Sequence, residues 1–218
     1  MNTRNSDHPP DDVILVLDVD GVILDSERGG KGRWQSVLRE KHAVDPSLLD
    51  EVFFQRAWSD VIVGREPIEP ALARALRELD WKIDVETVLS CWFEADFEVN
   101  HEVVRAVNGW TTAFGIRMAL ATNQEARRAR FLEMRLGPLL PFAGIVFSGA
   151  LGFLKNDMAF YPAAERWLGI DASRDRIVFV DDSQQNVEAA RRQGWEGVHF
   201  DKQGDWHSQI DSALCGRA

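Results

Sequence analysis

The chain has 218 residues, 45% of them apolar, which suits one sizeable core or a core domain with a smaller companion. Its formal net charge is −10 and no basic patch stands out, which argues against nucleic acid as a partner. No apolar run is long enough to span a bilayer, and two distant cysteines, Cys91 and Cys215, read as reduced thiols of a cytoplasmic protein.

Residues 1–12 (MNTRNSDHPPDD) are polar, hold two prolines and lack the apolar stretch of a signal peptide, so they are expected to form a flexible tail. VILVL (13–17) is the first strand-like run. From 27 to 104 no buried strand is expected. ALARALREL (71–79) spaces Leu72, Leu76 and Leu79 as a helix does, and VETVLSCWFEADF (85–97) repeats the pattern. Asp45 before Pro46, and Asp84 before Val85, read as helix N-caps. RMALA (117–121) precedes a helix-forming stretch that ends at glycine. GIVFS (144–148), RIVFV (176–180) and GVHF (197–200) complete the strands. Continuous apolar strands alternating with helices predict an α/β fold, a Rossmann-like parallel sheet covered on both faces. The long helical stretch reads as an inserted α-helical cap, 27–104, within a core of 13–26 and 105–218.

In an open parallel sheet, ligands sit beyond the carboxyl ends of the strands. Those ends carry Asp18 and Asp20, then Thr122 and Asn123, then Lys155 past a loop, then Asp181 and Asp182. Several carboxylates in one cleft repel each other unless a cation joins them, and hard oxygen donors favour Mg²⁺. A carboxylate can attack phosphorus, and a second can protonate the leaving group. A hydroxyl, a lysine and backbone amides freed by a sharp turn at Gly21 would hold the transferring group.

This pattern resembles the haloacid dehalogenase superfamily and its phosphatases. DVDGV (18–22), ATN (121–123), Lys155 in GFLKND and VDD (180–182) match its four signature segments in order, and the helical insert lies where that superfamily places a cap. The resemblance implies Asp18 as nucleophile and metal ligand, and Asp20 as general acid/base with its carbonyl on the metal. It implies Thr122 and Asn123 on the phosphoryl group, Lys155 beside the nucleophile, and Asp182 on Mg²⁺ with Asp181 as a further or alternate ligand. Ser148 and Asn186 would support them. Asp20 favours phosphate esters over halides, because an alkoxide needs an acid to leave. One departure is Asn156, where the family commonly shows proline. The branch it looks most like is that of sugar phosphatases, with phosphoglycolate phosphatases and β-phosphoglucomutases near by.

The expectation is a Mg²⁺-dependent phosphatase acting on a small phosphomonoester, a sugar phosphate or similar. A phosphomutase would use the same residues, and a non-catalytic protein keeping the fold is the rival of another class. Arg65, in a loop of the cap, is a candidate substrate contact. Trp58 and Trp92 read as cap core that could also face the cleft. The run ARRAR (126–130) reads as the solvated face of a helix, and the five histidines show no metal-ligand spacing.

Overall fold

The computed structural model describes residues 13–25 and 33–216. The expected tail, 1–12, and the first residues of the expected cap lie outside them. Five strands form one all-parallel sheet in the order β3-β2-β1-β4-β5. They are β1 (Val13–Leu17), β2 (Arg117–Thr122), β3 (Ile145–Phe147), β4 (Arg176–Asp181) and β5 (Glu196–His199). β1 lies in the middle, with Leu17 beside Leu120 on one flank and Val180 on the other.

The apolar run of β1 follows from this position. Successive side chains of a strand point to opposite faces. Val13, Leu15 and Leu17 join one core with Val107 and Trp110 of α5 (His101–Phe114) and Ile210 of α10 (Trp206–Cys215). Ile14 and Val16 join another with Phe160 and Tyr161 of α8 (Phe160–Leu168) and Ala189 of α9 (Gln184–Arg192). Both faces are covered, so no polar residue interrupts the strand.

The helices between β1 and β2 have a third core of their own. α1 (Arg33–His42), a π-helical turn (Asp50–Phe54), α2 (Trp58–Val61), α3 (Ile68–Glu78) and α4 (Val85–Ala95) surround Leu38, Phe53, Leu72, Leu76 and Leu89. Trp34, Phe53, Phe54, Trp58, Trp92 and Phe93 form a continuous aromatic group, with neighbouring centroids 5.0–6.0 Å apart. Asp84 caps α4 by accepting from the Thr87 backbone N–H at 2.8 Å. The chain rejoins the sheet core at Phe97 and Val99, where Val99 bridges Leu24, just before α5, whose N-cap is Asn100. The Asn100 side chain starts that helix by taking the orphan N–H groups of Glu102 and Val103.

α6 (Ala126–Leu136) ties the two parts together. Arg127 pairs with Glu69 (3.0 Å) and Glu86 (2.7 Å), and Arg135 with Glu94 (2.6 Å). Arg128 is only 5% exposed. The reading of ARRAR as a solvated face is therefore overturned for Arg127 and Arg128: Arg127 is held by acids of the inserted helices, and Arg128 by Asp20 after β1, with Asp96 beyond α4 farther off. A second link lies beside α7 (Ser148–Leu151), where Ser148 Oγ donates to the Ile62 carbonyl at 2.6 Å. Gly64, at φ +72°, faces Gly149 so closely that a Cβ would lie 2.0 Å from its carbonyl oxygen. Among the described residues no helix is long and apolar enough to cross a membrane.

Gly115 has a similar φ of +65°, and a Cβ there would meet nothing within 4 Å, so it isolates the cost of the left-handed backbone. Gly115→Ala should cost about 1 kcal/mol, and Gly64→Ala clearly more, because the contact at Gly149 is with backbone that cannot swing aside. Urea unfolding of both variants checks this; equal losses would mean that the approach of 64 to 149 carries no strain.

Candidate active site

The site begins where β1 ends. The Asp18 N–H donates to the Val180 carbonyl (2.9 Å), which continues the β1–β4 ladder one residue past the strand, and the Val19 N–H donates to Asp18 Oδ1 at 2.7 Å. Lys155 Nζ lies 2.5 Å from Asp18 Oδ1 and 2.8 Å from Asp181 Oδ2. The lysine is 2% exposed and Asp181 fully buried. This ammonium cannot wander, because its backbone is held on both sides. Its N–H donates to Asn123 Oδ1 (2.9 Å), and its carbonyl lies 2.7 Å from the Tyr161 hydroxyl. That hydroxyl also lies 2.7 Å from the Asn186 carbonyl. Asn186 Nδ2 in turn donates to Asp181 Oδ1 at 3.0 Å, and the Ser183 N–H to the same oxygen at 2.8 Å.

Burial pushes the Asp18 carboxyl well above the usual carboxylate range; Lys155 opposes this and Asp181 adds to it. Burial would likewise push the Lys155 ammonium down, but Asp18 and Asp181 outweigh it and hold the group above its ordinary value. Asp182 is raised by burial, and then by Asp181. Asp18, Asp181 and Asp182 each offer an oxygen, and these oxygens lie within 4.8 Å of one another. One ammonium among three carboxylates leaves negative charge uncompensated, and a hard divalent cation fits such a donor set.

Gly21 serves this cluster differently from the expectation. Its N–H donates to the Leu24 carbonyl (2.8 Å), so that amide closes a turn and does not face a ligand. The glycine instead makes room: at φ +87°, a Cβ would lie 2.1 Å from Asp182 Oδ2. The Asp20 carboxylate stands outside the three-acid cluster. Arg128 Nη2 donates to its Oδ1 (2.9 Å) and Gln124 Nε2 to its Oδ2. Arg128 also lies 3.8 Å from Asp96, next to α4, whose carboxyl burial raises while Arg128 opposes.

Two cavities meet here. One of about 310 Å³ is lined by Asp18, Asp20, Thr122, Asn123, Lys155 and Asp182. The other, about 660 Å³, opens toward the inserted helices and also touches Asp20 and Asn123. The sequence candidates at the strand ends thus come together. Arg65 does not join them: it pairs with Asp60 (3.0 Å) on the exposed surface, and its helix neighbour satisfies it there. Ser148 stands at the link to Ile62, and Asn186 orients Asp181. Gln124, Arg128 and Asp96 were not anticipated. Gln124 lies in the loop after β2 and Arg128 in the first turn of α6, so both stand at the end of that strand.

Residues 14–194 match the family described as haloacid dehalogenase-like hydrolase. The enolase-phosphatase E1 of Streptomyces avermitilis is 26% identical, over 87% of this chain and 88% of that protein. A haloacid dehalogenase family enzyme from Bacteroides thetaiotaomicron, in complex with magnesium and inorganic phosphate, superposes with a TM-score of 0.65 at 15% identity, over 88% of this chain and 96% of that one. A protein of Thermotoga maritima described as a β-phosphoglucomutase superposes at 0.51 with 23% identity, over 92% and 91%.

Lys155→Met leaves Asp18 and Asp181 facing each other in the interior. Without added cation it should lower stability by about 3–5 kcal/mol, read by urea unfolding. Adding Asp181→Asn should recover part of the loss; no recovery would show that the lysine acts by packing and not by charge.

Proposed function

The chain belongs to the haloacid dehalogenase-like hydrolases, and from that premise we propose that it is a Mg²⁺-dependent phosphatase that cleaves a small phosphomonoester through an aspartyl-phosphate on Asp18. The observation that carries this reading is the fixed pair of Asp18 and Lys155 in the smaller cavity, with the Asp20 carboxyl on the border of the larger one. The phosphatase named among the relatives supports it, as does the magnesium and phosphate complex of the Bacteroides protein.

Each side chain then has a task. A carboxylate oxygen of Asp18 attacks phosphorus, and the bond to the ester oxygen breaks. Asp20, in its protonated form, gives that proton to the departing oxygen, which leaves as an alcohol into the larger cavity. Asp20 next takes a proton from water, whose oxygen adds to phosphorus. The bond to Asp18 breaks, and orthophosphate and the free carboxylate are restored. Lys155 holds Asp18 in its attacking orientation and offsets charge on the phosphoryl oxygens. The Thr122 hydroxyl lines the same cavity and would donate to the phosphoryl group, while Asn123 keeps Lys155 in place. Arg128 and Gln124 keep the Asp20 carboxyl at the boundary where both half-reactions need it. Mg²⁺, held by Asp18, Asp181 and Asp182 with the Asp20 carbonyl, would supply charge compensation for Asp18 and for a phosphoryl oxygen.

Phosphate release from small phosphomonoesters should need Mg²⁺ and stop with EDTA. Asp18→Asn should abolish it, and Asp20→Asn should slow it by about 10²–10⁴-fold. A rearranged phosphate ester in place of free phosphate would instead identify a mutase. Release indifferent to EDTA or to Asp18→Asn would overturn the mechanism.

A further inference from the structure

We propose that the alcohol this site releases has a flat, largely apolar body, and is not a polyhydroxylated sugar. The inference rests on the phosphatase reading and goes beyond it to the substrate class. The smaller cavity has room for a phosphoryl group and a cation. The larger one, about 660 Å³, has room for far more than a two- or three-carbon acid. Its wall on the cap side is made of Phe54, Trp58 and Trp92, three rings in mutual contact with centroids 5.5–5.6 Å apart. Leu24, Ile62 and Leu154 complete the apolar lining.

Most polar side chains of this cavity already have partners in the protein, the exposed Ser59 and the Arg128 Nε–H excepted. Asp20 accepts from Arg128 and Gln124, Arg128 faces Asp96, Lys202 pairs with Asp25 (2.5 Å), and Asn123 accepts from the Lys155 N–H. A sugar brings several hydroxyls, and each must find a new partner when it leaves water or weaken binding. An aromatic or similarly flat apolar body meets rings on one side and aliphatic carbon on the other, and asks only that water leave. The phosphate end is anchored by the polar cavity in either case, so the body decides the choice.

The test compares primary alkyl phosphates whose alcohols leave with similar ease: 2-phenylethyl phosphate against glucose 6-phosphate. Acetyl phosphate, which has almost no body and whose acetate leaves without an acid, reports attack by Asp18 and hydrolysis of the intermediate alone. With wild-type protein and Mg²⁺, kcat/KM for 2-phenylethyl phosphate should exceed that for glucose 6-phosphate at least tenfold. Trp58→Ala should shrink that ratio, chiefly through KM. Glucose 6-phosphate cleaved as well as or better than 2-phenylethyl phosphate, with acetyl phosphate also cleaved, would overturn the inference and leave the phosphatase reading standing. No release from any of the three, acetyl phosphate included, would overturn both. The wild-type comparison decides without the variant, so a poorly folded Trp58→Ala does not blunt the test.

Discussion

A lysine ammonium buried between two carboxylates is the constraint around which this molecule is arranged. A lone charge in the interior is expelled or neutralised; Lys155 stays because Asp18 and Asp181 meet it from the ends of adjacent strands. That meeting requires β1 and β4 in register, which the ladder from Val13–Arg176 to Leu17–Val180 supplies. It also requires the loop after α7 to turn inward, and Asn123 and Tyr161 hold the lysine's own backbone there. The acids left over call for a cation, and Gly21 leaves the space that lets Asp182 complete the group. Sheet order, loop path and metal affinity thus answer to one charge.

The inserted helices are coupled to this centre by charge as well as by packing. Exposed ion pairs such as Arg135 with Glu94 add little each. Arg128 differs, because it is buried and reaches the general acid of the proposed mechanism on one side and Asp96 on the other. A shift of α4 would therefore be felt at Asp20 through a single side chain. In the proposed mechanism, the acid for the leaving group is thus held by an arginine of α6 that also meets Asp96 beside the inserted helices.

Much of this was legible in the sequence, for a definable reason. A strand buried on both faces must be apolar throughout, so VILVL and RIVFV declare themselves, and the residues that end them are polar for the sake of the site. Asp18, Asp20, Asp181 and Asp182 could be found from position along the chain alone. What could not be read were pairings across the insertion. Nothing local to ARRAR says that Glu69, Glu86 and Asp96 will come to meet it, and a basic run looks the same whether water or carboxylates surround it. Arg65 failed in the opposite sense: a loop arginine with chemistry to offer is satisfied by Asp60, five residues away. Gly21 was singled out for its turn, which announces itself in sequence; that Asp182 exploits the missing Cβ does not.

The placement of the helical insert also bears on how the chain is made. β1 is the central strand, yet residues 18–116 separate it from β2 and a further stretch from β4. During synthesis it emerges ahead of its sheet neighbours and has none to pair with until residues 18–116 have followed, a delay of several seconds at ordinary elongation rates of about 5–20 residues per second. The helices that come between have a core of their own to collapse around in the meantime. The nascent chain therefore carries a bare, fully apolar pentapeptide while the helices that follow it take shape. The demand for a buried active-site strand is thereby also a demand on the machinery that shields unfinished proteins.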